Sequence, residues 1–347
     1  MLNNQKHFRG CLIGGAVGDA LGCPVEFLQL EEIKKNYGSD GITELVVGKS
    51  GKAEITDDTQ MTLFTAEGLL RAATRHSQKG ICHIPSVVFN AYHRWLVTQG
   101  FQVKGTLENL DGYLIGISNL HEKRGPGDTC LSSLKSGQMG TIDKPINNSK
   151  GCGGVMRAAP VGLFCSRQNA FKIGAECGAL THGHPSGYLS AGVLAHMIAC
   201  IIEGVHLEDA VSDSLAELLK YNGHEECYNL IRKAVELSQN DTEPQSALST
   251  LGEGWVGDEA IAMAIYCALK QKTDFKKALI LSVNHKGDSD STGAITGNIL
   301  GAYLGLEAIP ADWFQQVELA EVLVQVADDL LTGYQDTEEW RNKYPGW

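Results

Sequence analysis

Residues 287–305 read GDSDSTGAITGNILGAYLG, with Gly293, Gly297, Gly301 and Gly305 at every fourth position. That spacing places the four glycines in one stripe on one face of a helix. Each glycine costs about 1 kcal/mol against alanine in a helix interior, so the repetition implies that another backbone comes close to that face. A second stripe, Gly14, Gly18 and Gly22, runs through residues 10–26, GCLIGGAVGDALGCPVE. The two helices are therefore expected to pack on each other or on a shared neighbour, with general tight packing as the plain alternative. Such contact would bring Glu26, just beyond Gly22, towards Asp288 and Asp290, just before Gly293. A membrane-dimer motif explains the Gly293–Gly305 stripe poorly, because it includes Thr296 and Asn298.

Helical spacing of apolar residues recurs over 60–73, 85–97, 188–202, 207–219, 226–237, 260–269 and 294–306. Strand evidence is confined to 41–47, which predicts an all-α, single-domain orthogonal helical bundle over 1–347 with at most one short hairpin. Loop-forming residues cluster at 48–51, 124–128, 147–154, 183–186, 241–244 and 252–257. A net charge of −12 argues against nucleic acid and anionic membrane surfaces as partners. Ten cysteines, scattered singly without a Cys-x-x-Cys pair, fit reduced thiols and a cytoplasmic location. The apolar start of the chain is interrupted by Asp19, unlike a signal sequence, and no run is long enough and free enough of charge to predict a membrane span.

The chemistry lies in two distant acidic clusters. Thr56-Asp57-Asp58-Thr59 and Asp288-Ser289-Asp290-Ser291 each lead into an apolar, helix-like run. Helix capping explains one aspartate at each place, because its oxygen accepts a backbone N–H and the helix dipole favours negative charge. It does not call for two per junction mixed with hydroxyls. Crowded carboxylates repel unless a proton or cation sits between them, and oxygen donors without a Cys or His array suit Mg²⁺ or Mn²⁺, with Ca²⁺ also compatible. Glu26, Asp57, Asp58, Asp288 and Asp290 would suffice for two magnesium ions about 4 Å apart, bridged by a carboxylate. Asp19 is either a buried residue holding a neighbouring loop or a participant in the chemistry.

Residues 148–157, NSKGCGGVMR, form a glycine-rich loop that is either a flexible turn or an anion cradle with Lys150 and Arg157 as charge partners. His182 and His184 suit hydrogen bonding to substrate or protein better than half of a zinc site. Trp95, Tyr188, Trp255 and Tyr303 are either core or stacking surfaces for a base.

Taken together, residues 10–26, 56–62, 124–134 (RGPGDTCLSSL), 149–160 (SKGCGGVMRAAP), 181–188 (THGHPSGY) and 287–305 resemble the ADP-ribosylglycohydrolase family. The resemblance implies a mostly helical domain with a binuclear magnesium site at the base of a cleft that holds ADP-ribose. By that resemblance, Thr56, Asp57 and Asp58 ligate one ion, Asp288 and Ser291 the other, and Asp290 bridges. Glu26 corresponds to a mobile glutamate of metal-binding or acid-base role, with Asp57 or Asp58 as substitute for proton transfer. Ser149, Gly151, Cys152, Gly153, Gly154, Val155 and Met156 enclose the diphosphate, and His182 contacts substrate. Ser291 stands where threonine is common, and Asp128 where asparagine is usual.

The expected activity is hydrolysis of the bond between ribose C1″ and a side chain of an ADP-ribosylated protein, N-linked arginine first and an O-linked ADP-ribose derivative second. The same chemistry is compatible with reversal of an ADP-ribosylating toxin. A metal-dependent phosphohydrolase of a nucleotide derivative and a non-catalytic, crystallin-like binding member of the fold are the competing expectations.

Overall fold

The computed structural model describes residues 4–103 and 110–346. Among these, regular structure consists of seventeen α-helices and five short 3-10 segments without a strand, so the all-α expectation holds. Each expected helical segment is present, for example Asp57–Lys79, Ile84–Thr98, Pro185–Ile202 and Gly257–Lys270. The expected strand over 41–47 does not form. Val47 makes one antiparallel bridge to Ala53, and Ala53 one parallel bridge to Val317. A tight turn between them, with Gly51 at φ 76 and Gly48 N–H donating to the Lys52 carbonyl at 2.8 Å, leaves no length for a ladder.

The two glycine stripes pack on each other. Gly10 opposes Gly301, Gly14 opposes Gly297, Gly18 opposes Gly293 and Gly22 opposes Ser289, so the Gln5–Gly22 and Ser289–Leu304 helices run antiparallel. A Cβ on Gly297 would lie 1.9 Å from the Gly14 carbonyl oxygen, and one on Gly18 would lie 2.0 Å from that of Gly293. No side chain fits such gaps, which explains glycine at these steps. Asn298 adds a cross-link, its Nδ2 donating to the Cys11 carbonyl at 2.8 Å. Because the seam ends at Gly22 on one helix and Ser289 on the other, it delivers Glu26 and the second acidic cluster to the same end.

One apolar cluster extends from Phe8 to Tyr344. The Pro185–Ile202 helix is long and apolar enough to cross a membrane by length and composition, contrary to the reading of the sequence, but it is buried almost throughout as a core helix. All ten cysteines are free.

Candidate active site

Thr56 caps the Asp57–Lys79 helix, its Oγ1 accepting from Asp58 N–H at 3.2 Å. The turn is held from below by Asp19 on the Gln5–Gly22 helix. Both Asp19 oxygens accept from Thr56 N–H at 3.0 Å, and Oδ2 also accepts from Thr59 N–H at 3.2 Å and Thr59 Oγ1 at 2.5 Å. Asp19 is fully buried, and these bonds to Thr56 and Thr59 fix the loop.

Asp288 caps the Ser289–Leu304 helix, accepting from Ser291 N–H at 3.3 Å, while Asp290 Oδ1 accepts from the same N–H at 2.9 Å. The seam and the Asp19 clamp bring the two junctions together. Oxygens of Glu26, Asp288 and Asp290 lie within 4.8 Å of one another. Glu26 lies beside Asp290, and Asp58 beside Ser291, across the two junctions. Asp57 Oδ2 accepts from Gly127 N–H at 3.2 Å, which anchors the loop before the Asp128–Ser136 helix.

Burial drives the Glu26 carboxyl up to about 8, reinforced by the charges of Asp288, Asp57 and Asp19. Burial likewise pushes Asp57 up to about 8. It raises Asp58 and Asp290 well above the usual carboxylate range, with neighbouring aspartates adding to the effect. Arg124, on the adjoining loop, is turned away to Glu54 at 2.5 Å and Glu318 at 3.3 Å. Among the described residues no lysine or arginine pairs with Asp57, Asp58, Asp288 or Asp290. Asp58 Oδ2 is buried without any hydrogen-bond partner. An orphaned carboxylate oxygen within an uncompensated, all-oxygen set suits a hard divalent cation.

The glycine loop forms one wall. Its 150–152 stretch pairs with 255–257, through Cys152 N–H to the Trp255 carbonyl at 3.2 Å and Gly257 N–H to the Lys150 carbonyl at 2.8 Å. Cys152 thereby reaches the acids, its thiol donating to Asp288 Oδ2 at 2.8 Å. That contact was missed in the sequence, where Cys152 counted only as a member of the loop. Ser149 lies at the other end, its Oγ 3.1 Å from Thr129 Oγ1. Gly153 and Gly154 leave room for His182 and the Gly187 carbonyl, where a Cβ would come within 2.9 and 2.4 Å respectively. Val155 and Met156 continue inward as buried core.

His182 sits beneath this loop, 1% exposed, with Nδ1 2.8 Å from Thr181 Oγ1. Burial, with Arg157 nearby, lowers it to about 3, so the imidazole is neutral. Both expected charge partners of the loop are engaged within the protein. Lys150 Nζ bonds to Glu226 at 2.6 Å. Arg157 is buried over the Tyr92 ring and donates to Thr181 Oγ1 at 2.6 Å, so it braces the loop from inside. Of the four aromatics considered for stacking, Trp95 is fully buried and donates to Gln60 at 3.0 Å, whereas Trp255 reaches the surface.

Comparison with known proteins identifies the family and the fold. The family model for ADP-ribosylglycohydrolase matches residues 2–339. ADP-ribosylhydrolase ARH3 of Mus musculus is 26% identical, the match covering 96% of this chain and 93% of that protein. ADP-ribosyl-[dinitrogen reductase] glycohydrolase of Rhodospirillum rubrum is also 26% identical, over 89% of this chain and 90% of that protein. A solved ADP-ribosylglycohydrolase-related protein complex superposes with a TM-score of 0.62 at 23% identity, covering 94% of this chain and 98% of that one, which supports the fold. With the whole chain matched and both acidic junctions meeting at one end of a glycine seam, the protein belongs to the ADP-ribosylglycohydrolase family.

Proposed function

We propose that this glycosyl hydrolase removes ADP-ribose from a modified protein side chain in a magnesium-dependent reaction, with N-linked ADP-ribosylarginine as the favoured substrate. The observation that carries the reading is the convergence of Glu26, Asp57, Asp58, Asp288 and Asp290 without a protein cation, one carboxylate oxygen being buried and unpartnered. Thr56, Asp57 and Asp58 would hold one Mg²⁺, Asp288 and Ser291 a second, with Asp290 between them, and Mn²⁺ could serve in their place. Bound there, the metals would supply positive charge to orient ribose hydroxyls and water.

In the net reaction the bond from C1″ to the side-chain atom breaks, and water oxygen forms the new bond to C1″. One water proton passes to the leaving atom. Glu26 is suited to carry that proton by position, because its carboxylate lies with those of Asp288 and Asp290 at the meeting point of the two junctions. The backbone of 149–156 would fix the diphosphate, so binding remote from C1″ positions the reacting carbon. His182 is assigned to the substrate wall through its support of Gly151 and Gly153. The ten unpaired thiols support a reducing, cytoplasmic setting.

The test uses mono-ADP-ribosylated arginine and serine peptides, each with Mg²⁺ and with EDTA, and mass analysis of the released nucleotide. Intact ADP-ribose formed only with Mg²⁺ is expected. Release of AMP or phosphate would establish the phosphohydrolase alternative instead, and binding without turnover a non-catalytic member.

A further inference from the structure

Directly after Glu26 the chain does something costly. Phe27 adopts φ 68, a left-handed conformation that a bulky side chain rarely takes, and its ring is 71% exposed. Strain and exposure of this kind persist where the surroundings enforce them, and they point to a functional surface. Here the ring is stacked on Trp255, with centroids 5.3 Å apart and planes inclined by 22°.

Trp255 is firmly placed. Its carbonyl accepts from Cys152 N–H, its Nε1 donates to Glu253 Oε2 at 3.2 Å, and the Glu253 carbonyl accepts from Asp288 N–H at 2.8 Å. The aromatic pair therefore joins the three parts of the site: the Glu26 segment, the glycine loop and the second acidic junction. It also lies at a defined end. Within the loop, Cys152 is the residue that touches Asp288, whereas Ser149 lies towards Thr129, so Trp255 borders the acidic end. Beside the pair is a recess of about 580 Å³, lined in part by Leu30, Val256 and Trp255 and by Glu253, Glu259 and Lys286, the last paired with Glu253 at 2.7 Å.

We infer that Phe27 and Trp255 form a platform for the group attached to C1″, and that it selects a planar cation, the guanidinium of a modified arginine, over an uncharged hydroxyl linkage. This rests on the function proposed above. Guanidinium stacks on aromatic faces through both its plane and its charge, and the recess beside the pair has room for the aliphatic stem of arginine. A serine linkage presents neither feature. Phe27 and Trp255 are thus specificity residues, while proton transfer stays with Glu26.

Three variants test this: Phe27→Gly, Trp255→Ala and Trp255→Phe. Glycine suits φ 68, so Phe27→Gly removes the ring without demanding a new backbone path, and thermal unfolding should find it at least as stable as the parent. Steady-state kinetics on matched ADP-ribosylarginine and ADP-ribosylserine peptides give the ratio of the two kcat/KM values. That ratio should fall about tenfold in Phe27→Gly and Trp255→Ala, mainly through KM for the arginine peptide, and recover in Trp255→Phe. Calorimetric affinity for free ADP-ribose, which lacks the attached group, should shift less than about threefold. Equal losses on both peptides with weakened ADP-ribose binding would mean that the pair stacks the base, and would overturn the inference. So would an unchanged ratio, or a parent enzyme that prefers serine. If the parent released no ADP-ribose from either peptide, the function proposed above would fall as well.

Discussion

Replacing Gly297 with alanine inverts an ordinary rule. In a typical helix the change would stabilise by about 1 kcal/mol, since alanine is the better helix former. Here the added Cβ would lie 1.9 Å from the Gly14 carbonyl oxygen, 2.5 Å from its carbon and 3.1 Å from Gly15 N. Carbon and oxygen approach comfortably only to about 3.3 Å, so the helices must part by more than 1 Å. The obstructing atoms are backbone and cannot rotate aside. Overpacking costs about 1–3 kcal/mol even where side chains yield, and here the neighbouring Gly10–Gly301 and Gly18–Gly293 contacts open as well. A net loss of about 2 kcal/mol or more is expected, a fall of roughly 3 °C or more in Tm for a chain of this length. Thermal unfolding followed by circular dichroism at one scan rate measures it, with Gly116→Ala as control, since nothing lies within 4 Å of a Cβ there. A Gly297→Ala protein as stable as the parent, or more so, would refute the seam argument.

Three further outcomes follow from the same structure. Asp290→Ala should abolish turnover and the stabilisation by magnesium, which for the parent is about 2.7 kcal/mol at one hundred times Kd; full activity in this variant would remove Asp290 from the site. Asp19→Ala leaves the buried N–H groups of Thr56 and Thr59 unpaired, so urea titration should give a loss of about 2–5 kcal/mol together with weaker Mg²⁺ binding; a loss under about 1 kcal/mol would contradict the clamp. In EDTA, folded Glu26 and Asp57 keep protons up to about pH 8 that the unfolded chain releases above about pH 4, so stability is full at low pH and declines as pH rises towards 8. Saturating Mg²⁺ should flatten that decline, and a Tm in EDTA that rises between pH 5.5 and 8 would oppose it.

Much of this could be read in the sequence because the decisive features are periodic or crowded. Four-residue glycine spacing marks a helix face whatever lies opposite, and two aspartate pairs at helix starts exceed what capping requires. The partner of each glycine could not be read, since spacing does not reveal whether one stripe meets the other or a third helix. Short helices such as Leu30–Tyr37, Ala311–Gln316 and Glu338–Lys343 offer too few turns for periodicity to stand out. The segment 41–47 looks like a strand because Ile42, Leu45, Val46 and Val47 favour extended chain, yet the turn beginning at Gly48 leaves it only the single Val47–Ala53 bridge. Phe27 gave no local signal: a positive φ at a bulky residue is imposed by tertiary structure. Cys152 against Asp288 was equally hidden, because it depends on residues 255–257 pairing with the loop.

The most direct test of the central claim is anomalous diffraction from crystals soaked in Mn²⁺. Two manganese peaks among Asp57, Asp58, Asp288 and Asp290, lost from Asp290→Ala crystals, are expected. Saturating Mn²⁺ with no peak among these carboxylates, alongside undiminished hydrolysis in EDTA, would contradict it.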